Sequence, residues 1–167
     1  MAIAGKEHWT RKGDVKLFLW QKPAAPGVAK QGTVLFVHGS SMASQPTFDL
    51  HVPGRPDSSV MDWFAERGFD TWCMDHEGYG RSDKQRPINC DIPNGADDLA
   101  AGTEYILKTT GARKLLTYGI SSGALRAATR RPSAECPGPR RATERACLRR
   151  LLFGADTRRR PGSPRTS

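Results

Sequence analysis

The feature that most constrains the fold of this 167-residue chain is a serine enclosed by two glycines. An apolar run at residues 114–118 leads into Gly119-Ile120-Ser121-Ser122-Gly123, and helix-forming residues follow at 124–128. A strand and a helix that meet in so tight a turn leave no room for larger side chains two positions before and after the serine. The sequence therefore predicts a strand-turn-helix unit that holds the Ser121 hydroxyl clear of both elements.

This unit predicts a nucleophile. The Ser121 hydroxyl could attack a carbonyl carbon, and the backbone N–H of Ser122, at the start of the helix, could donate to the resulting oxyanion. The alternative interpretation of Ser121 is a plain turn serine. Because short motifs also occur by chance in a chain with 17 glycines, the surrounding sequence has to decide between the two.

The sequence upstream predicts a second oxyanion donor. Residues 32–37 form a short apolar and β-branched run, which is typical of a strand buried on both faces of a parallel sheet. The run ends in His38-Gly39-Ser40-Ser41, where Gly39 allows a sharp turn. We expect this turn to bring the backbone N–H of Ser40 towards the oxyanion that Ser122 serves, so that two loops each supply one donor.

The segment between these motifs predicts two helices and one strand. Ser58 or Ser59 would cap a helix at 60–67 that ends at Gly68 and places its apolar residues 60, 61, 63 and 64 on one face. A strand is predicted at 69–75, and a longer helix at about 96–110 with Gly111 ending it. The long loop at 41–57 is expected to lay Met42, Phe48 and Leu50 over the site.

Three segments together resemble the α/β-hydrolase family: residues 35–39, 75–83 and 118–123, in the family's order along the chain. The resemblance covers roughly residues 14–128. It implies a partial α/β-hydrolase fold, a mostly parallel sheet with helices on both faces. Strands near 15–20, 33–37, 69–74 and 114–118 would be the family's second to fifth, and residues 6–10 a weak first.

The resemblance also implies an activity. A member of this family would be a serine hydrolase of ester or other acyl bonds with a small-molecule, ester-like substrate. Ser121 would be the nucleophile, and the N–H groups of Ser122 and Ser40 would form the oxyanion hole. No cofactor and no metal are expected.

The same resemblance reveals missing parts, because the family's triad runs in the order Ser, Asp or Glu, His. The four histidines of the chain, all of which precede Ser121, are His8, His38, His51 and His76. The carboxylates that follow Ser121, none of them after an apolar run, are Glu135, Glu144 and Asp156. A serine hydroxyl needs a neighbouring base. We therefore expect the chain as given to be inactive.

Other polar residues have structural interpretations. His38 is expected beside the oxyanion turn in a structural role, and His51 as a solvated loop residue. Asp75 and Asp83 flank a glycine-rich turn and are expected to accept backbone hydrogen bonds. Metal binding by residues 75–77 is not expected, since neighbours at a strand end point in different directions. Cys73 lies in an apolar run and is expected to pack in the core. The cysteines lack the spacing of a disulfide framework or a zinc site.

The composition changes after about residue 128. Residues 129–167 hold 11 Arg and no Lys against three acids, a net charge of 11 − 3 = +8, whereas residues 1–128 carry 15 − 14 = +1. The chain therefore divides into an N-terminal hydrolase part, 1–128, and an Arg/Pro-rich tail, 129–167, predicted to be disordered. Arg, Pro, Ala and Gly without Lys are what GC-rich DNA encodes out of frame, so we expect a frameshifted or truncated end.

Partners and localisation follow from the same sequence. The alternative function is a non-catalytic protein that binds nucleic acid or anions through the tail, but its 39 residues offer only Phe153 for base stacking. No membrane is expected as a partner and the chain is predicted to be cytoplasmic, since neither a secretory signal nor an apolar span is visible. In the family's topology the strand at 114–118 is interior, so we expect self-association through an exposed sheet edge.

Overall fold

A computed structural model describes residues 3–88 and 90–129. The predictions made for residues 130–167 lie outside the described residues. These are the disordered tail, its anion-binding alternative and the frameshifted or truncated end. The division of the chain at residue 128 stays a prediction.

The described residues form one mixed sheet of five strands in the order β1-β2-β4-β3-β5. β2 pairs antiparallel with β1 and β4, while β3 pairs parallel with β4 and β5. Four of the five strands therefore point the same way, and β2 is the exception. The strands are β1 Lys6–Lys12, β2 Val15–Lys22, β3 Gly32–Val37, β4 Phe69–Met74 and β5 Leu116–Gly119.

β3 and β4 form the centre of the sheet, as their composition predicts. Five of the six residues of each strand are buried, because both faces of these strands are covered by helices. β5 differs, since its residues alternate between exposed and half-buried. Among the described strands, only β3 pairs with it.

Helices cover both faces of the sheet. One apolar cluster packs α3 residues Leu99 and Ile106 against one face, with Ala127 of α4 beside it. The other cluster packs Phe48 of α1 and Met61 of α2 against Phe36 on the opposite face. The helices are α1 Ser44–Phe48, α2 Val60–Ala65, α3 Ile92–Thr110 and α4 Ser122–Thr129, with a short 3-10 helix at Pro56–Ser58.

The ends of α2 and α3 follow capping rules. Ser59 caps α2, since its hydroxyl accepts the Asp62 N–H at 3.1 Å. Asp91 caps α3 by accepting the Asn94 N–H at 2.8 Å, so this helix begins four residues earlier than predicted. Gly111 ends α3 in the left-handed conformation, with φ +67°.

Two sequence predictions about the loop at 41–57 and α2 were wrong in part. Val60 and Trp63 are 38% and 46% exposed, whereas Asp62 is buried and takes a place on the inner face. Phe48 belongs to the core, packed on Phe36 with ring centroids 5.2 Å apart, while Met42 is exposed. The physical reason for the first difference is the ion cluster that Asp62 joins, described below.

No helix within residues 3–88 and 90–129 combines the length and the apolar character that a bilayer crossing requires.

Candidate active site

Ser121 lies at the turn between β5 and α4, as the sequence predicts. Its φ is +52°, which makes it the one non-glycine residue with a positive φ among the described residues. A side chain pays a steric penalty in this region, and such conformations persist where the surroundings impose them. Ser121 is an exposed residue at this turn.

The two glycines around Ser121 are required by backbone contacts. A Cβ at Gly119 would lie 2.6 Å from the carbonyl oxygen of Gly123, and a Cβ at Gly123 would lie 2.4 Å from the carbonyl oxygen of Val37. Backbone atoms cannot move aside as the end of a flexible side chain can. α4 can therefore pack onto the ends of β5 and β3 only because positions 119 and 123 are glycines.

The predicted oxyanion turn packs directly against Ser121. A Cβ at Gly39 would lie 3.0 Å from the Ser121 Cβ and 3.4 Å from its Oγ, so only glycine lets the turn approach this closely without displacing its neighbour. The next residue, Ser40, places its hydroxyl oxygen 2.7 Å from that of Ser122. The structure thus brings Ser40, Ser121 and Ser122 together, although 82 residues separate the first from the last.

His38 supports the oxyanion turn with both ring nitrogens. Nε2 accepts the backbone N–H of His76 at 3.1 Å, so Nδ1 carries the proton and donates to the Gly39 carbonyl oxygen at 2.6 Å. Burial, with the neighbouring His76, lowers the pKa of His38 to about 4. Because a trans peptide group points its C=O and N–H in opposite directions, this bond directs the Ser40 N–H away from the His38 ring.

The remaining histidines are engaged elsewhere. His76 is fully buried, its Nδ1 lies 3.2 Å from an Asp98 carboxylate oxygen, and burial lowers its pKa. His8 bonds Tyr105 and Gln21. His51 is exposed as predicted. No hydrogen bond found within residues 3–88 and 90–129 joins a histidine to Ser121.

Asp75 organises the glycine-rich turn at 78–83. One carboxylate oxygen accepts the Ser44 backbone N–H at 2.8 Å and its hydroxyl at 2.7 Å, and the other accepts the Arg81 N–H at 2.9 Å. Asp83 accepts the backbone N–H of Lys16, at the start of β2, at 2.7 Å. Both aspartates therefore accept hydrogen bonds from backbone N–H groups. The Asp75 bond to Arg81 lies within the turn, whereas the Asp83 bond connects the turn to β2.

Two ion clusters escaped the sequence analysis. In the first, the Lys22 ammonium is buried and lies 2.6 Å from Asp49 and 2.7 Å from Asp62. His51 joins it through Asp49 at 3.1 Å. These groups have the donor atoms of a cation site, but the lysine already supplies the cation. No sequence spacing signals the cluster, because its members come from β2, from α2 and from the residues after α1.

The second cluster joins His76, Cys90 and Asp98, again with metal-binding atom types. Lys12 pairs with Asp98, so a cation is present here too. Burial raises the pKa of the Cys90 thiol to about 11 and raises that of Cys73, which keeps both protonated at neutral pH. Cys73 is a core residue, as predicted.

The sequence analysis also missed Arg126, which is buried one turn after the start of α4. Its guanidinium donates to the carbonyl oxygens of Cys90, at 2.5 Å, and His38, at 3.4 Å. Gly95 of α3 provides the space, since a Cβ there would lie 2.4 Å from the arginine Cδ. Arg126 therefore links α4 to His38, at the start of the predicted oxyanion turn.

Solved structures with the same fold include several hydrolases. A predicted hydrolase of Thermoplasma acidophilum has a TM-score of 0.56 and 16% identity, over 77% of this chain and 56% of that one. An esterase of Pyrococcus furiosus has a TM-score of 0.57 and 21% identity, over 75% and 45%. A serine hydrolase without a lid from Xanthomonas campestris has a TM-score of 0.56 and 18% identity, over 78% of this chain and 56% of that one. The chain thus spans about half the length of these proteins. No curated protein matches its sequence.

The strand order, the helices on both faces and the turn at Ser121 define an α/β-hydrolase fold. The family model described as "Serine aminopeptidase, S33" matches residues 29–138, about two thirds of the chain. The chain belongs to this family of α/β hydrolases.

Proposed function

We propose that this chain carries the nucleophile and oxyanion hole of a serine hydrolase that cleaves an ester or other acyl bond of a small molecule. One observation carries the proposal: Ser121 is held with φ +52° at an exposed turn, with Gly39 packed against its side chain. A plain turn serine has no need of a second loop so close to its hydroxyl.

The proposed chemistry begins when the Ser121 Oγ attacks the carbonyl carbon of the substrate. A C–O bond forms, and the carbonyl π pair moves onto the oxygen, which becomes the oxyanion. The backbone N–H groups of Ser122 and Ser40 then donate to the oxyanion. Donors that are already fixed in place stabilise this charge without having to reorganise. When this tetrahedral species collapses, the bond to the leaving group breaks, the leaving group takes a proton from water, and an acyl-enzyme remains. Water then hydrolyses the acyl-enzyme, which releases the carboxylic acid and restores the Ser121 hydroxyl.

The Ser121 proton needs an acceptor. His38 cannot serve, because Nδ1 donates to Gly39 and Nε2 accepts from His76. The sequence holds no histidine after residue 76. We therefore expect slow acylation, driven by hydroxide, and little turnover from this 167-residue chain. An intact site left with its oxyanion hole and binding alone keeps an advantage of roughly a thousand- to ten-thousandfold over water.

A fluorophosphonate probe tests the proposal without requiring turnover. The Oγ–P bond forms as fluoride leaves, so labelling reports the nucleophile directly. We expect slow labelling at Ser121 that accelerates as pH rises, since hydroxide then takes the proton. Peptide mapping by mass spectrometry identifies the labelled residue.

Ser121→Ala and Ser41→Ala are the matched variants, because both remove one exposed serine hydroxyl from this end of the sheet. Labelling should disappear in the first and persist in the second. Labelling that survives Ser121→Ala, or that maps to another residue, rejects Ser121 as the nucleophile.

A further inference from the structure

The two loops proposed to hold the oxyanion meet through their side chains as well as their backbones. The hydroxyl oxygens of Ser40 and Ser122 lie 2.7 Å apart, which is the distance of a good O–H···O hydrogen bond. One of these residues belongs to the turn after β3 and the other begins α4. Their bond therefore joins the two loops that are proposed to supply the oxyanion donors.

Tyr79 adds a second constraint on the same turn. Its phenol donates to the Ser40 carbonyl oxygen at 3.0 Å, and its ring packs on that of His38 with centroids 4.9 Å apart. His38 holds the carbonyl of the preceding residue, Gly39. Both peptide groups that flank the Ser40 Cα are thus held by side chains.

We propose that Ser40, Ser122 and Tyr79 are positioning residues whose side-chain hydrogen bonds set the separation and orientation of the two oxyanion donors. This inference rests on the proposed function. It assigns a role to the hydroxyls of Ser40 and Ser122 that is separate from the role of their backbone N–H groups. We call the three side chains the hydroxyl clamp.

The clamp has a physical reason. Ser40 is exposed, so without a partner its hydroxyl would bond water and the turn would have one fewer tie to α4. An N–H donor stabilises an oxyanion only when it lies about 3 Å from the place where the charge develops. A hydrogen bond between the donor loops keeps that distance fixed before the substrate arrives.

Alanine and threonine variants test the clamp through the rate of fluorophosphonate labelling at Ser121. Ser40→Ala and Ser122→Ala should each slow labelling about fivefold, the effect of one typical hydrogen bond. The double variant should be no slower than either single variant, because both remove the same bond. Ser40→Thr and Ser122→Thr, which keep a hydroxyl, should restore the rate, and Tyr79→Phe should slow it to a similar extent.

Ser41→Ala is the matched control, since Ser41 is the exposed neighbour of Ser40 in the same turn. It should label at the wild-type rate and unfold at the wild-type denaturant midpoint. Equal losses in Ser41→Ala and Ser40→Ala, or additive losses in the double variant, would overturn the clamp.

Amide hydrogen exchange separates failure of the clamp from failure of the nucleophile, because it needs no chemistry at Ser121. Ser40→Ala and Ser122→Ala should each speed exchange about fivefold at the Ile120 amide, which donates to the Val37 carbonyl oxygen at 3.1 Å and so joins the same two loops. Unchanged exchange overturns the clamp whatever the labelling shows. Absence of Ser121 labelling in the wild-type chain overturns the proposed nucleophile and leaves the exchange result to decide the clamp.

Discussion

At the residue scale, His38 illustrates how a histidine in the turn beside a proposed nucleophile can be unfit to be its base. A general base must have a free nitrogen at the reacting proton and a pKa near the working pH. His38 uses both nitrogens in backbone hydrogen bonds, and burial lowers its pKa to about 4. It is therefore a neutral structural residue at the predicted oxyanion turn, and its structural role agrees with the sequence prediction.

The lowered pKa of His38 predicts how stability depends on pH. In the unfolded chain its pKa is about 6.5, so between pH 6.5 and pH 4 the unfolded state binds a proton that the folded state does not. The free energy of unfolding should fall as the pH is lowered through this range, by at most about 1.4 kcal/mol per pH unit for this histidine. Urea unfolding at half-unit intervals measures it.

His8 and His76, whose pKa values are also lowered by burial, should act in the same direction. The His38 contribution is separated by following its ring resonance by NMR in the folded chain, where it should titrate near pH 4. A His38 ring that titrates near its ordinary value of 6.5, or a free energy of unfolding that is flat from pH 6.5 to 4, would contradict this account.

At the element scale, Lys22 fastens α2 and the segment after α1 to the end of β2. Its ammonium is buried between Asp49 and Asp62, and Asp49 also accepts hydrogen bonds from Trp20, at 2.8 Å, and Ser59, at 2.6 Å. Three parts of the chain, β2, α2 with its cap and the segment after α1, thus converge on one cation. A fully bonded cluster of this kind tolerates burial, whereas a cluster with one partner removed does not.

Lys22→Met should therefore destabilise the protein by about 3–5 kcal/mol, because it leaves two buried carboxylates without a cation. Lys30→Met is the control, since Lys30 is exposed ahead of β3 and should change stability by less than about 0.5 kcal/mol. Chemical denaturation of both variants measures the difference. Equal stability of the two variants would show that the cluster contributes nothing.

The same cluster explains where prediction from sequence stops. The strand at 69–74 and the caps Ser59 and Gly111 follow from local rules and were confirmed. Burial of Asp62 in place of Val60 and Trp63 does not follow from local rules. The residue that makes this burial favourable is Lys22, which lies 40 residues earlier. At the site, the motif predicts the turn at Ser121, whereas the Ser40–Ser122 bond depends on how β3 and β5 pair.

At the scale of the whole molecule, β5 is the exposed margin of the described sheet. Leu116 and Tyr118 are 43% and 41% exposed, and no charged residue lies within the strand Leu116–Gly119. Uncharged apolar edge strands invite pairing with other chains. The predicted self-association through this edge stays a prediction, and it can be tested with one substitution.

Leu116→Lys should reduce self-association, because a charge on an edge strand opposes pairing with another chain. Val60→Lys is the matched control, since Val60 is 38% exposed and lies on α2, away from the edge. Static light scattering of the two variants and the wild-type chain across a concentration series gives the comparison. If both lysine variants lower the scattering equally, net charge rather than the β5 edge controls association.

The pairing of β5 with β3 has a consequence for the order in which the molecule is assembled. Every hydrogen bond that adds β5 to the sheet joins residues about 80 positions apart, from Val34 with Leu116 to Val37 with Gly119. Closing so large a loop is slow compared with forming hairpins and single helices. During synthesis, the contact between Ser121 and the glycine turn at Gly39 therefore cannot form until β5 has left the ribosome and paired with β3.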